Sequence, residues 1–151
     1  MKLSNKDFLK IIHLTPLVSI DLIIKNKQGE ILLGERNNKP AQGFWFVPGG
    51  RILKNETIKI AYQRILKNET GLEVPFEKAT LLGVYDHIYD DNFLGDPTIN
   101  TQYVVLAFII ELADNEQIIT DDQHSQTIWC GITDLISSQK VHINTKRYFT
   151  D

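Results

Sequence analysis

Apolar residues are spaced along this chain in two ways, which together predict alternating strands and helices. Runs rich in β-branched and aromatic residues, bounded by turn residues, predict strands at 17–24, 30–34, 44–47, 79–89, 101–112 and 127–131. Apolar residues three or four positions apart predict helices between Ser4 and Pro16 and at 57–69, 132–138 and 142–149. We therefore expect an α/β fold, an α/β/α sandwich in which helices cover both faces of a mixed, largely antiparallel sheet.

The middle of the chain carries the sharpest local signals. The Pro48-Gly49-Gly50 segment is predicted to break the chain after the strand at 44–47. The helix that follows should be amphipathic and should end at Gly71, because glycine readily takes the left-handed conformation that closes a helix. Its predicted apolar face consists of Ile58, Ala61, Ile65 and Leu66.

Composition narrows the class of protein. The 151 residues, 42% of them hydrophobic and 23% charged, are typical of one globular domain. A net charge of -3 without any block of Lys and Arg argues against nucleic-acid binding, and no apolar run approaches the length that crosses a bilayer. Cys130 is the single cysteine, which excludes an internal disulfide, and no signal peptide is recognisable. We expect a cytoplasmic protein.

Charged residues follow a definite spacing in the segment 50–72. Five residues separate its first glycine from Glu56, and seven separate Glu56 from Arg64. This spacing resembles the Nudix box, a loop-helix-loop that holds a divalent cation against a diphosphate. Where that box has Arg-Glu-hydrophobic-X-Glu-Glu, this chain reads Arg64-Ile65-Leu66-Lys67-Asn68-Glu69. Positions 65, 68 and 69 share one helix face, so a face that usually carries three carboxylates carries one.

Further segments resemble the GDP-mannose mannosyl hydrolases, a Nudix branch that shares this reduced box. They are residues 15–19, 40–43, 45–51, 89–93 and 103–106. The resemblance implies one Nudix hydrolase domain over 1–151, with a modified box at 50–72. It also implies that residues 1–16 bind the nucleotide and are exchanged within a homodimer. The implied reaction needs Mg²⁺, for which Mn²⁺ can substitute, and converts a GDP-sugar to GDP and free hexose by inversion at the anomeric carbon.

The resemblance assigns a metal site and supports a general base. Glu69 and the side-chain amide of Gln123 are the expected side-chain ligands, with the backbone oxygen of Gly49 as a third ligand. His124 is the expected base, because an imidazole titrates near neutral pH and can take a proton from the attacking water. Taken singly, each side chain could equally be a solvated surface group, and Gly49 could belong to a structural turn. The whole spaced pattern favours a diphosphate site.

Arginines and a tyrosine are expected at the diphosphate. Arg36 and Arg51 are the main candidates, because a guanidinium can clamp phosphate oxygens and offset charge on a leaving group. Arg64 is a weaker candidate for substrate binding, since it could instead hold the box loop or pair with Asp21. Tyr103 could donate its hydroxyl to a phosphate oxygen, although a half-buried strand tyrosine is equally ordinary.

Asp21 and His87 resemble the pair that binds the sugar hydroxyls in this family. Asp21 interrupts an apolar strand, where a carboxylate is costly unless it is paired. The role of His87 rests mainly on the resemblance. The resemblance also implies that Lys2, Leu3 and Phe8 reach the nucleotide, although Phe8 could equally be an apolar staple of the first helix.

Two other functions stay open on the sequence. A Nudix pyrophosphohydrolase would attack phosphorus of a nucleoside diphosphate sugar, and a non-catalytic sensor would bind a nucleotide sugar without turnover. The reduced metal face favours attack at carbon, and the presence of Glu69, His124 and the arginines together favours an enzyme. The loop at 93–100 is one residue longer than the family pattern, with Pro97 inserted. It could alter the choice among mannose, glucose and fucose.

Overall fold

Seven strands and four α-helices make up the part of the chain that the computed structural model describes, residues 2–113 and 126–150. The helices are α1 (Asn5–Leu14), α2 (Ile58–Thr70), α3 (Ile132–Ser137) and α4 (Ile143–Lys146), and a 3₁₀ turn spans Phe76–Lys78. The strands are β1 (Leu17–Lys25), β2 (Ile31–Glu35), β3 (Trp45–Phe46), β4 (Gly49–Arg51), β5 (Thr80–Tyr89), β6 (Thr101–Glu111) and β7 (Thr127–Cys130). None of these helices is long and apolar enough to cross a membrane.

The seven strands form one mixed sheet, in which β1 and β6 are a parallel pair. The strand order is β3-β2-β1-β6-β5, and the other ladders between these strands are antiparallel. The side of β1 away from β6 has two partners, because β4 pairs with residues 19–21 and β2 pairs with Lys25. β7 pairs with β2. The predicted mixed, largely antiparallel sheet is confirmed.

The sheet carries a separate hydrophobic core on each face. Ile20 and Ile24 of β1 pack in the core that includes the buried residues of α2, and we call this side the α2 face. Ile23 packs in a second core with Leu135 of α3, on the side that we call the α3 face. Successive side chains of a strand point to opposite faces, so Asp21, two residues before Ile23, lies on the α3 face. The predicted sandwich is confirmed.

The two longest helices begin and end where the sequence predicts. Ser4 caps α1, and its hydroxyl accepts a hydrogen bond from the backbone N–H of Asp7 at 3.2 Å. Thr57 caps α2 in the same way, accepting from the backbone N–H of Ile60 at 3.1 Å. Gly71 closes α2 in the left-handed conformation, with φ of 75°.

Two local predictions were wrong. The Pro48-Gly49-Gly50 segment is more than a break, because residues Gly49–Arg51 form β4 and pair with β1. A Cβ atom on Gly49 would lie 2.4 Å from Oδ1 of Asp21 and 2.6 Å from the carbonyl oxygen of Ile20. Glycine is therefore needed there for the close approach of two strands. Ile58 is 44% exposed and does not belong to the apolar face of α2, where the fully buried Tyr62 lies instead.

Candidate functional site

Two adjoining clefts at β2, β3 and β4 contain seven of the predicted site residues. The outer cleft has a volume of about 450 Å³, and the inner cleft has a volume of about 110 Å³. Both are lined by Arg36, Phe46, Val47 and Gly49, so they form one continuous depression. Glu69 lines the outer cleft. The inner cleft is lined by the predicted residues Asp21, Arg51, His87 and Tyr103.

Strand register explains why the inner-cleft residues face one another. Asp21 pairs with Gly49 of β4, and His87 of β5 pairs with Tyr103 of β6. Residues paired across neighbouring strands place their side chains on the same face of a sheet. Asp21 is also opposite Ala107 of β6, an even number of residues from Tyr103. Asp21, His87 and Tyr103 therefore share the α3 face.

A tyrosine that the sequence analysis did not identify joins Asp21 to His87. The hydroxyl of Tyr148 donates a hydrogen bond to Oδ2 of Asp21 at 2.5 Å and lies 3.3 Å from Nε2 of His87. Tyr148 and His87 are buried, whereas Asp21 is half-buried at the cleft. Asp21 thus has the partner that an inward-facing carboxylate needs.

Burial shifts the ionisation of this group in opposite directions. It raises the pKa of Asp21 from 3.8 to about 6, although the hydrogen bond from Tyr148 and the charge of Arg36 act against it. Burial lowers the pKa of His87 from 6.5 to about 4, and the charge of His142 adds to this effect. At neutral pH the imidazole of His87 is therefore neutral and Asp21 is largely ionised. Both can accept hydrogen bonds from hydroxyl groups.

Arg36 and Arg51 make one side of the inner cleft positive. Both act on Tyr103: burial raises the pKa of its hydroxyl, and the two arginine charges lower it. Arg36 donates from Nε to the carbonyl oxygen of Asn38 at 3.0 Å, which fixes its orientation. The guanidinium carbon of Arg51 lies 4.7 Å from the ring centroid of Phe8. Two guanidinium groups and one hydroxyl in this arrangement fit a diphosphate.

The loop at 93–100 contributes no lining residue to either cleft. Asn92 holds this loop together, because its side-chain amide donates to the carbonyl oxygens of Asp96 at 2.7 Å and Ile99 at 2.6 Å. Phe93 packs on Phe8 with ring centroids 4.9 Å apart, and Phe8 lies on Arg51. A direct effect of this loop on sugar choice, which the sequence suggested, therefore has no contact to support it within the described residues.

None of the three N-terminal residues predicted to bind the nucleotide lines a cleft. Lys2 is exposed and Leu3 is half-buried, and neither lines a cleft in this single chain. Phe8 approaches the site through its contact with Arg51. Nucleotide binding by these three residues, and the homodimer in which residues 1–16 would be exchanged, stay predictions.

Arg64 holds the loop of the box. Its Nε and Nη2 atoms donate to the two carboxylate oxygens of Glu56 at 2.7 Å and 2.9 Å, and Nη2 also donates to the carbonyl oxygen of Arg51 at 2.9 Å. Glu56 in turn accepts from the backbone N–H of Leu53 at 2.7 Å. These contacts fit the role of holding the box loop, which the sequence left open as the alternative to substrate binding. The ionic partner of Arg64 is Glu56 and not Asp21.

In a usual Nudix box, one side of this helix carries three carboxylates that bind the metal. In α2 only one of those three positions, Glu69, is acidic. Ile65 is 2% exposed and packs in the core of the α2 face, whereas Asn68 is exposed. Glu69 is half-buried and lines the outer cleft together with Gly49. Within residues 2–113 and 126–150, no cluster of three or more His, Cys, Asp and Glu side chains could hold a metal ion.

One carboxylate and one backbone carbonyl nevertheless fit Mg²⁺. This ion usually takes one or two protein carboxylates and keeps the other positions for waters and substrate phosphates. Glu69 and Gly49 would supply the protein oxygens beside Arg36, all three in the outer cleft. The third predicted ligand, Gln123, and the predicted base, His124, lie outside the described residues.

Comparison with known proteins assigns the family. A model of the NUDIX domain matches residues 15–151, nearly the whole chain. The chain belongs to the Nudix family. The low-salt glycan biosynthesis protein Agl8 of Haloferax volcanii is 38% identical over 125 residues, which cover 83% of this chain and 77% of that protein. The ADP-ribose pyrophosphatase of Methanocaldococcus jannaschii is 35% identical over 129 residues, with 73% of this chain and 75% of that protein covered.

Solved structures agree on the fold of this Nudix protein. The MutT protein of Methanosarcina mazei Go1 has a TM-score of 0.71 at 18% identity, over 90% of this chain and 92% of that one. This likeness concerns the fold alone. Nudix hydrolases typically use Mg²⁺ or Mn²⁺, and the carboxylate of Glu69 and the carbonyl of Gly49 are oxygen donors of the kind that Mg²⁺ binds.

Two residues at the candidate site come from the C-terminal segment and were not predicted from the sequence. Besides Tyr148, His142 caps α4, with its Nδ1 accepting from the backbone N–H of Asn144 at 3.0 Å, and its ring stacks on Phe46 at 4.8 Å. Phe46 lines both clefts, so His142 supports their shared wall. Neither residue belongs to the box. The segment around them, 142–151, is mostly polar and charged, and it gives no local signal that either side chain faces a cleft.

Proposed function

We propose that this Nudix protein is a Mg²⁺-dependent hydrolase that converts GDP-mannose, with GDP-glucose as a second substrate, to GDP and free hexose. The observation that carries the proposal is the position of Asp21 and His87 in the inner cleft, beside Arg36 and Arg51. Acceptors for sugar hydroxyls thus lie next to the groups that fit a diphosphate. The guanine base and the mannose are taken from the resemblance of the sequence motifs.

The side chains of the clefts divide the work between the two ends of the substrate. Arg36 and Arg51 bind the diphosphate and offset the charge that develops on the departing GDP. Tyr103 donates its hydroxyl to a phosphate oxygen. Asp21 and His87 bind hydroxyls of the sugar, which orients the anomeric carbon relative to the arginines and lowers the entropic part of the barrier.

The proposed reaction is a displacement at carbon. The oxygen of water forms a bond to the anomeric carbon, and the bond from that carbon to the β-phosphate oxygen breaks. The electron pair leaves with GDP, a proton of the water passes to His124, and the configuration inverts. Mg²⁺ bound by Glu69, Gln123 and the carbonyl of Gly49 would neutralise part of the diphosphate charge.

The reduced box supports attack at carbon over attack at phosphorus. A nucleophile activated by metal ions beside the diphosphate is best served by several carboxylates, and two of the three usual positions hold Ile65 and Asn68. The name of the Haloferax relative, which refers to glycan biosynthesis, agrees with a sugar-containing substrate. A pyrophosphohydrolase that attacks phosphorus is the second candidate, and the relative named ADP-ribose pyrophosphatase favours it.

Hydrolysis of GDP-mannose in ¹⁸O-labelled water tests the proposal. Attack at carbon places the label in free mannose, first formed as the β-anomer, and leaves GDP unlabelled. Mass spectrometry locates the label, and proton NMR in the first minutes identifies the anomer. Unlabelled mannose kept in the same water is the control, because the free sugar exchanges its anomeric oxygen with solvent.

Two outcomes would contradict the proposal. Label in GMP or in mannose 1-phosphate would establish attack at phosphorus and the pyrophosphohydrolase reading. A thermal shift with GDP but no turnover of GDP-mannose or GDP-glucose, with either Mg²⁺ or Mn²⁺ present, would favour the non-catalytic sensor.

A further inference from the structure

The hydroxyl of Tyr148 has one proton and two polar neighbours. A phenol donates one hydrogen bond and can accept others. At 2.5 Å its proton lies toward Oδ2 of Asp21, an oxygen that accepts. The contact of 3.3 Å with Nε2 of His87 then requires the imidazole to donate from Nε2 to the phenol oxygen. His87 is therefore in the tautomer that carries its proton on Nε2, and its Nδ1 has a free lone pair.

The same count of hydrogen bonds leaves Asp21 and His87 with one unused acceptor atom each. Within residues 2–113 and 126–150, the hydrogen bonds of Asp21 and His87 side chains are those to Tyr148, so Oδ1 of Asp21 and Nδ1 of His87 accept none there. Both residues line the inner cleft. A side chain at position 49 would occupy the space beside Oδ1, with its Cβ at 2.4 Å. The glycine at that position keeps this oxygen open.

The core of the α3 face holds Tyr148 in place. Its ring belongs to the cluster of buried residues that includes Ile23 and Leu135, and it packs edge to face on Tyr85 with ring centroids 4.8 Å apart. The position of its hydroxyl is therefore set by packed side chains and not by a surface loop.

We propose that Tyr148 is a positioning residue for sugar recognition, which fixes the tautomer of His87 and the orientation of Asp21 so that both present an acceptor to neighbouring hydroxyls of a hexose. This inference rests on the proposed function. Two acceptors at a fixed separation suit one arrangement of adjacent hydroxyls better than another, and a hydroxyl pointing elsewhere leaves a buried acceptor without a partner. The group would therefore distinguish hexoses by the stereochemistry of these hydroxyls.

Tyr148→Phe tests this inference, because it removes the hydroxyl and keeps the ring. We expect the KM for GDP-mannose to rise about tenfold or more, the loss that corresponds to one or two hydrogen bonds. The preference for GDP-mannose over GDP-glucose should fall by a similar factor, while the Kd for GDP, which lacks the sugar, should not change. Tyr85→Phe is the matched control, since its ring packs on Tyr148 and it lines neither cleft. It should keep the sugar preference.

A second measurement needs no turnover. The ¹⁵N shifts of His87 in histidine-labelled, metal-free protein should report the Nε2-protonated tautomer in the wild type and a mixture of tautomers in Tyr148→Phe. A wild-type imidazole protonated on Nδ1 would overturn the inference, and so would a variant that loses GDP affinity and sugar affinity equally. If the labelled-water experiment fails for GDP-mannose, the proposed function falls, while the tautomer result still decides the role of Tyr148.

Discussion

Asp21 places a carboxylate on the α3 face of β1, two residues before the buried Ile23, and we predict that Asp21→Asn stabilises the folded protein at pH 8. The asparagine side chain has nearly the same shape and keeps a carbonyl oxygen that can accept from the hydroxyl of Tyr148. It lacks the charge whose burial raises the pKa of Asp21 from 3.8 to about 6. Turnover of the sugar substrate should fall at the same time.

The size of the gain follows from that pKa. A rise from 3.8 to about 6 corresponds to a cost of at most about 3 kcal/mol for the ionised carboxylate. Asp21 is half-buried at the cleft, so water screens part of the charge, and we expect a gain of about 1 to 2 kcal/mol. For a chain of this length, such a gain raises the melting temperature by about 2 to 8 °C.

The sign of the effect determines how it depends on pH. The folded protein binds the proton of Asp21 more tightly than the unfolded chain does, so the stability of the wild type falls as pH rises from about 4 to about 6. The asparagine variant has no such titration. The gain should therefore be small at pH 4.5 and complete above pH 7.

Urea unfolding of both proteins at pH 4.5, 6 and 8, in EDTA so that no cation occupies the proposed metal site nearby, measures this difference. Asp86→Asn is the control, because Asp86 is exposed on β5 and its replacement should have little effect at any of these pH values. A loss of stability in Asp21→Asn at pH 8, or an equal gain at all three pH values, would refute the argument from burial.

Two further changes test the box. Glu69→Gln should raise the Mg²⁺ concentration for half-maximal rate at least about tenfold, with partial rescue by excess Mg²⁺; an unchanged metal dependence would remove Glu69 from the ligands. Arg64→Met should cost about 2 to 4 kcal/mol in urea unfolding at pH 7, because it leaves Glu56 without its charged partner. Arg64 lowers the pKa of Glu56, so this contribution is lost as the pH falls through that lowered value. The control is Lys59→Met, which breaks the exposed pair of Lys59 with Glu77 and should cost little stability. An equally small loss in Arg64→Met would contradict the prediction.

The helices and longer strands could be predicted from the sequence because their signals are local. Ser4, Thr57 and Gly71 mark helix ends by their own chemistry, whatever the rest of the chain does. The strand β4 could not be predicted in this way. It has three residues, two of them glycines, and it forms because β1 presents an edge at Ser19 to Asp21. That partner is distant in the sequence.

The residues of the candidate site also divide into those with a local sequence signal and those without one. The spacing within the box indicated that Arg64 could hold the box loop, and its hydrogen bonds to Glu56 and to the carbonyl oxygen of Arg51 are the contacts of that role. Tyr148 is 127 residues from Asp21 and 61 from His87. Nothing near it in the sequence indicates that its hydroxyl contacts these two side chains. Its position depends on how the last segment packs on the α3 face, which a single sequence does not reveal.

The two positions at which this box lacks a usual carboxylate, 65 and 68, differ in burial. Position 68 is exposed, so an acidic residue could return there by one substitution at little structural cost. Ile65 is 2% exposed, and a Cβ on Gly50 would already lie 3.1 Å from its Cγ1 atom. A glutamate there would place a charge in the core of the α2 face, at a cost of several kcal/mol. Single substitutions would therefore not be enough to give this helix the three carboxylates of a usual Nudix box: position 68 can accept an acid, whereas position 65 would first need the core of the α2 face to be repacked.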